Sequence, residues 1–139
     1  MPGATSSPNE GLFEVLGRLR TSWPKRGWSW DSRVNCVASS FGHDLVDEAR
    51  QAAAIAFPYE WTKPTLSSAP PIIRDIAERT GGVRADQRLL ATQPFGKLIA
   101  YGMWWPWGDE ITISLRIGLA GSGATYEEAR LREVFGALE

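Results

Sequence analysis

The chain has 139 residues, 43% of them hydrophobic and 22% charged, with a formal net charge of -1. A chain of that length can bury about two thirds of the surface its unfolded form would expose, with no need of a disulfide or a metal. Near-neutral charge excludes the broad electrostatic footprint of a nucleic-acid binder, and the single cysteine, Cys36, excludes an internal disulfide.

Met1 to Asn9 is rich in Pro, Gly, Ser and Thr and lacks the basic and apolar regions of a secretory signal. It predicts a flexible N-terminal tail over residues 1–9, followed by a single α+β domain over 10–139. No apolar run approaches the roughly 18 residues that span a bilayer, so a cytoplasmic protein without a membrane partner is expected. Residues 1–42 carry Arg18, Arg20, Lys25, Arg26 and Arg33 against Glu10, Glu14 and Asp31. Basic residues so well separated read as a solvated face.

Leu12, Phe13, Leu16 and Leu19 recur at helical spacing, with Asn9 available as the N-cap. Trp23-Pro24-Lys25-Arg26-Gly27 ends that helix. The alternation of Trp28, Trp30, Ser32, Val34, Cys36 and Ala38 predicts one extended segment to about Phe41. Asp44 is then placed to cap a helix through Phe57, in which Leu45, Ala49, Ala52 and Ala56 share a narrow face of small residues. Pro58 stops it, and Tyr59 to Ala69 reads as a proline-punctuated connection containing Trp61.

Ser67 or Ser68 is positioned to cap the next helix, with Pro70 and Pro71 in its first turn and Ile72, Ile73, Ile76 and Ala77 facing the core. Gly81-Gly82 supplies its stop. Three strands follow, over about Arg84 to Thr92, Lys97 to Trp105 and Glu110 to Leu119, joined by Gln93-Pro94-Phe95-Gly96 and Pro106-Trp107-Gly108-Asp109. In the last, Ile111, Ile113, Leu115, Ile117 and Leu119 alternate with Thr112, Ser114 and Arg116. The middle strand is apolar on both faces, as a strand covered on both sides would be. A final helix from Thr125 carries Leu131, Val134, Phe135 and Leu138, with capping-box spacing from Thr125 to Glu128. The expected architecture is a three-stranded antiparallel meander, four-stranded if the extended segment joins it, with helices packed on one face and a C-terminal helix.

Motifs that could name a reaction fail on inspection. Gly118 to Thr125 approximates a phosphate-binding loop, but Ala124 stands where the lysine should be and no parallel sheet surrounds it. Cys36 and His43 are the sole cysteine and histidine and form the one nucleophile and base pair available for a hydrolase or transferase, with Asp44 or Asp47 to orient the ring. The apolar setting of Cys36 favours a structural role. Asp44, Asp47 and Glu48 have the spacing that compensates a helix dipole, so no metal is expected, and no cofactor.

Seven tryptophans remain to be explained, three of them within Trp104-Trp105-Pro106-Trp107. Trp28, Trp30, Trp104 and Trp105 sit in strand patterns that account for them. Trp107 and Trp61 lie in turn or loop sequence, where a large ring either folds back onto the core or stands out for a contact. The leading expectation is a non-catalytic binding module that docks a protein partner, or its own copy, through Trp107, Trp105, Trp61, Tyr59 and Arg116, in an adaptor, chaperone-like or neutralising role. The alternative is a small-molecule pocket lined by the rings, with Arg116, Tyr101 or Glu60 holding a polar group of the ligand.

Overall fold

A computed structural model describes residues 8–137 of the chain. Of the expected tail, 1–7 lie outside the described residues, whereas Pro8 and Asn9 already belong to the first helix, α1 (Pro8–Ser22). Asn9 is therefore within the helix and not its cap. Leu12, Phe13, Leu16 and Leu19 are all buried, as their spacing predicts.

The expected extended segment from Trp28 to Phe41 is a hairpin, β1 (Ser29–Asp31) and β2 (Cys36–Gly42). Asp31 turns the chain by accepting the Arg33 amide N–H at 3.0 Å, and Asn35 adopts the left-handed conformation at φ 55° that asparagine tolerates better than most residues. Folding back reverses the predicted facing: Trp30 pairs with Val37, so Cys36 and Ala38 lie on the opposite face from Trp30.

A 3₁₀ turn over His43–Leu45 precedes α2 (Val46–Ala56), and Asp44 makes no capping bond. Ala49, Ala52, Ala53 and Ala56 are buried, and these small residues let α2 approach α1 closely. The supposed connection contains a strand, β3 (Tyr59–Trp61), and a 3₁₀ helix over Lys63–Ser68. Pro70 occupies the cap position of α3 (Pro71–Arg79), so neither Ser67 nor Ser68 caps it. Ile73, Ile76 and Ala77 are buried, but Ile72 is 37% exposed and does not face the core. Gly82, at φ 88°, donates its amide to the Ala77 carbonyl at 2.7 Å and ends the helix as expected.

The chain continues through β4 (Arg88–Ala91), β5 (Leu98–Pro106) and β6 (Thr112–Gly121) to α4 (Glu128–Phe135). A 3₁₀ turn over Ala124–Glu127 precedes α4, and the Thr125 side chain caps neither element. Leu131 and Phe135 are buried; Leu138 lies outside the described residues.

The fold is α+β, and its sheet has six antiparallel strands in the order β1-β2-β6-β5-β4-β3. This corrects the three- or four-stranded expectation, because the hairpin supplies two strands at one side and Tyr59–Trp61 supplies the edge at the other. Helices on one face only is also corrected. Packed against one face, α1, α2 and α4 close a core with Val37, Phe41, Leu115, Ile117 and Trp104. On the second face α3 closes a smaller core with Leu89, Ile99, Tyr101 and Met103. The two-sided apolarity of β5 requires this, since a strand with both faces apolar must be covered twice. Among the described residues no helix is long and apolar enough to cross a membrane.

Candidate functional site

Three of the seven tryptophans belong to the first core. Trp23, Trp28 and Trp104 are at most 7% exposed, and with Phe41 and Phe135 they form a run of aromatic contacts whose centroids lie 4.6 to 5.5 Å apart. Trp23 Nε1 donates to Ser39 Oγ at 2.9 Å, while the buried Trp28 Nε1 has no partner among the described residues. Trp30 is partly buried against this core beneath the Arg132 guanidinium, 4.9 Å from its ring.

The other rings lie on the second face, where α3, only nine residues long, leaves the sheet uncovered at both of its ends. Beyond the C-terminal end of α3, two open clefts of about 600 and 560 Å³ adjoin across Trp107 and Arg116. The floor of the first is the uncovered surface of β2 and β6, with Ala38, Ser40 and Arg116; the second runs from Trp105 to Thr80-Gly81-Gly82.

Trp107 stands on the turn between β5 and β6 and is 47% exposed. That turn is held by the Asp109 carboxylate. Its Oδ1 accepts the amides of Ile111 and Thr112 at 3.0 and 2.9 Å, and its Oδ2 accepts the Thr112 hydroxyl at 2.7 Å. These bonds hold the Asp109 pKa below the usual carboxylate range. Trp107 itself donates its amide to the Thr112 carbonyl at 2.8 Å, so the ring is presented from a fixed backbone. Ile111, placed by its alternation in the buried set, begins the other side of the turn and is 65% exposed.

Arg116 lies beside Trp107 with its side chain 13% exposed. Its Nε donates to Asp31 Oδ2 at 3.0 Å, its Nη1 donates to Ser114 Oγ at 2.6 Å, and its guanidinium lies 4.8 Å from the Trp105 ring centroid. Asp31 also takes two bonds from the Arg33 side chain, both at 3.1 Å. Hydrogen bonds from Arg33, then from Arg116, lower the Asp31 pKa to about 2. Trp105, Trp107 and Arg116 thus converge as a group, and sequence inspection missed Asp31, Ser40 and Ser114 beside them. Their signal was the polar face of β6, legible only once β1 and β2 were known to pair alongside.

Tyr59 and Trp61 do not join that group. They stack on each other with centroids 6.2 Å apart on edge strand β3, beside the N-terminal end of α3. With Pro70, Ile72, Pro94 and Ile99 they line an apolar groove of about 290 Å³. Tyr101 is buried against Cys36 and cannot reach either site, and Glu60 faces the first core's side of the sheet, bridging Arg88 and Arg50 at 2.7 and 3.6 Å.

The Cys36 and His43 pair is not formed. Cys36 begins β2 and His43 lies just past its end, seven residues and about 23 Å away at strand rise. Cys36 Sγ lies 3.4 Å from the Val34 carbonyl and 3.7 Å from Tyr101 Oη, and burial pushes its thiol up to about 12. Such a thiol stays protonated. Among the described residues no three His, Cys, Asp or Glu side chains are grouped to hold a metal ion, Asp44, Asp47 and Glu48 included. In the Gly118 to Thr125 stretch, a Cβ on Gly121 would meet the Lys97 carbonyl oxygen, so this glycine answers a close backbone approach at φ 108°.

No protein-family model matches the chain, and no curated protein or solved structure matches it.

Proposed function

We propose that this protein is a non-catalytic binding module that docks a protein partner through the turn between β5 and β6, with Trp107 as the anchor and Trp105 and Arg116 beside it. One observation carries the reading: Trp107 is half exposed on a turn that three Asp109 hydrogen bonds hold rigid. A large ring presented from a fixed backbone has only its own two side-chain torsions to order on binding, and tryptophan and arginine are the residues that most often dominate interface energetics. Adaptor, chaperone-like and neutralising roles all use such a surface.

Replacing Trp107 with Ala tests it. Association with the partner captured from the native cell should weaken about tenfold or more, while thermal stability changes little, since the ring contributes no core packing. A large loss of stability with unchanged association would defeat the reading.

A second reading is favoured by the groove at Tyr59 and Trp61. Its volume of about 290 Å³ and largely apolar lining suit a small apolar ligand, near the lower bound of about 300 Å³ for ligand sites. Titration with an apolar fluorophore should then give saturable binding that Trp61→Ala abolishes and Trp107→Ala leaves intact; equal binding by both variants would remove it.

A further inference from the structure

We infer that the cleft beside Trp107 receives an acidic segment of the partner and that Arg116 takes its carboxylate, an inference that rests on the docking reading above. Charge is the first support. Lys25, Arg33, Arg84 and Arg116 line the two adjoining clefts, and Asp31, already held by Arg33 and Arg116, is the only carboxylate lining them among the described residues. The chain as a whole carries -1, so this local excess of positive charge is set against the rest of the molecule.

The state of the Arg116 guanidinium is the second support. Asp31 and Ser114 hold it through Nε and Nη1 and the Trp105 ring lies against it, while Nη2 has no protein acceptor among the described residues. Its plane is therefore fixed before any ligand arrives, and a carboxylate can accept from the remaining donors without the side chain being reordered. Sequence supplies the third. Ala38 pairs directly with Arg116 across β2 and β6, so the small side chain next to the guanidinium leaves its cleft side open. A nucleic acid would need a longer run of cations tracking successive phosphates, and the clefts hold the fixed Arg116 fork, Arg33 paired to Asp31, and two looser cations, Lys25 and Arg84.

The test uses the full chain and three ¹⁵N-monitored titrations with probes of defined chemistry: a hexaglutamate peptide, a hexaglutamine peptide and a hexathymidine oligonucleotide. Hexaglutamate should shift the indole N–H signals of Trp105 and Trp107, and hexaglutamine should not. Arg116→Gln should weaken that binding about tenfold, the loss expected for one charge-assisted hydrogen-bond site. Ala38→Glu should weaken it as much by placing a carboxylate of the chain's own beside Arg116. That second variant leaves Arg116, Asp31 and Ser114 in place, so the test survives if Arg116→Gln fails to fold. Hexaglutamate binding unchanged in Ala38→Glu, equal binding of hexaglutamine, or tighter binding of the oligonucleotide would each overturn the inference. If the captured partner is lost by Trp107→Ala but retained by Ala38→Glu, the docking reading stands and the carboxylate inference alone falls.

Discussion

The two faces of the sheet treat the same residue type in opposite ways. On the first face α1, α2 and α4 cover the strands, and Trp23, Trp28 and Trp104 are enclosed in an aromatic core. On the second, α3 covers the centre and leaves Trp107 and Tyr59 about half exposed near its two ends. Neighbours in sequence are separated by this difference, since Trp104 and Trp105 point to opposite sides of β5. A tryptophan's role here is set by which helix lies over it.

The contrast can be broken most severely at Trp104. Trp104→Ala removes a ring packed on Phe41 and should cost about 3–5 kcal/mol in a denaturant-unfolding measurement. A loss under about 1 kcal/mol would mean that the first face is no better packed than the second.

A smaller effect is expected at Asp31. Its folded-state pKa of about 2 lies below the ordinary value of 3.8, so the unfolded chain binds a proton where the folded chain does not. The resulting stabilisation is fully present above about pH 4 and is lost as pH falls toward 2. Unfolding followed between pH 5 and pH 2 should show this slope in the wild type and a shallower one in Asp31→Asn. Parallel profiles would detach Asp31 from Arg33 and Arg116. The smallest stability effect belongs to Trp107→Ala, within about 0.5 kcal/mol if the ring meets solvent as described.

Much of the fold was legible wherever a pattern was long. β6 carries its alternation through Ile113, Leu115, Ile117 and Leu119, and α1 presents Leu12, Phe13, Leu16 and Leu19 at helical spacing, so each announced its buried face. Short elements were not legible. β1 and β3 have three residues each, too few to show a period, and they form because the neighbouring strands β2 and β4 offer them unpaired backbone groups. The period-two reading across Trp28 to Phe41 ran straight through the turn at Asp31 to Asn35 and misassigned the facing of everything beyond it.

The candidate site divides along the same line. Trp107 was singled out from its turn sequence, Trp105 from its place in the same tryptophan-rich tip, and Arg116 as a cation on the polar face of its strand. The separation of Tyr59 and Trp61 from that group depends on α3 packing between them.

The residue pattern alone was enough for an α+β chain with four helices, which the structure bounds at 8–22, 46–56, 71–79 and 128–135, and for a strand, β5, needing cover on both faces. These follow from hydrophobic periodicity and from glycine and proline punctuation, which act within a few residues. Only the tertiary structure decided that six strands share the sheet, that α3 crosses to the second face, and that Asp31 and Arg116, 85 residues apart, meet beside Trp107. Strand pairing and helix coverage are long-range choices, made by burying whichever apolar faces the local elements leave exposed.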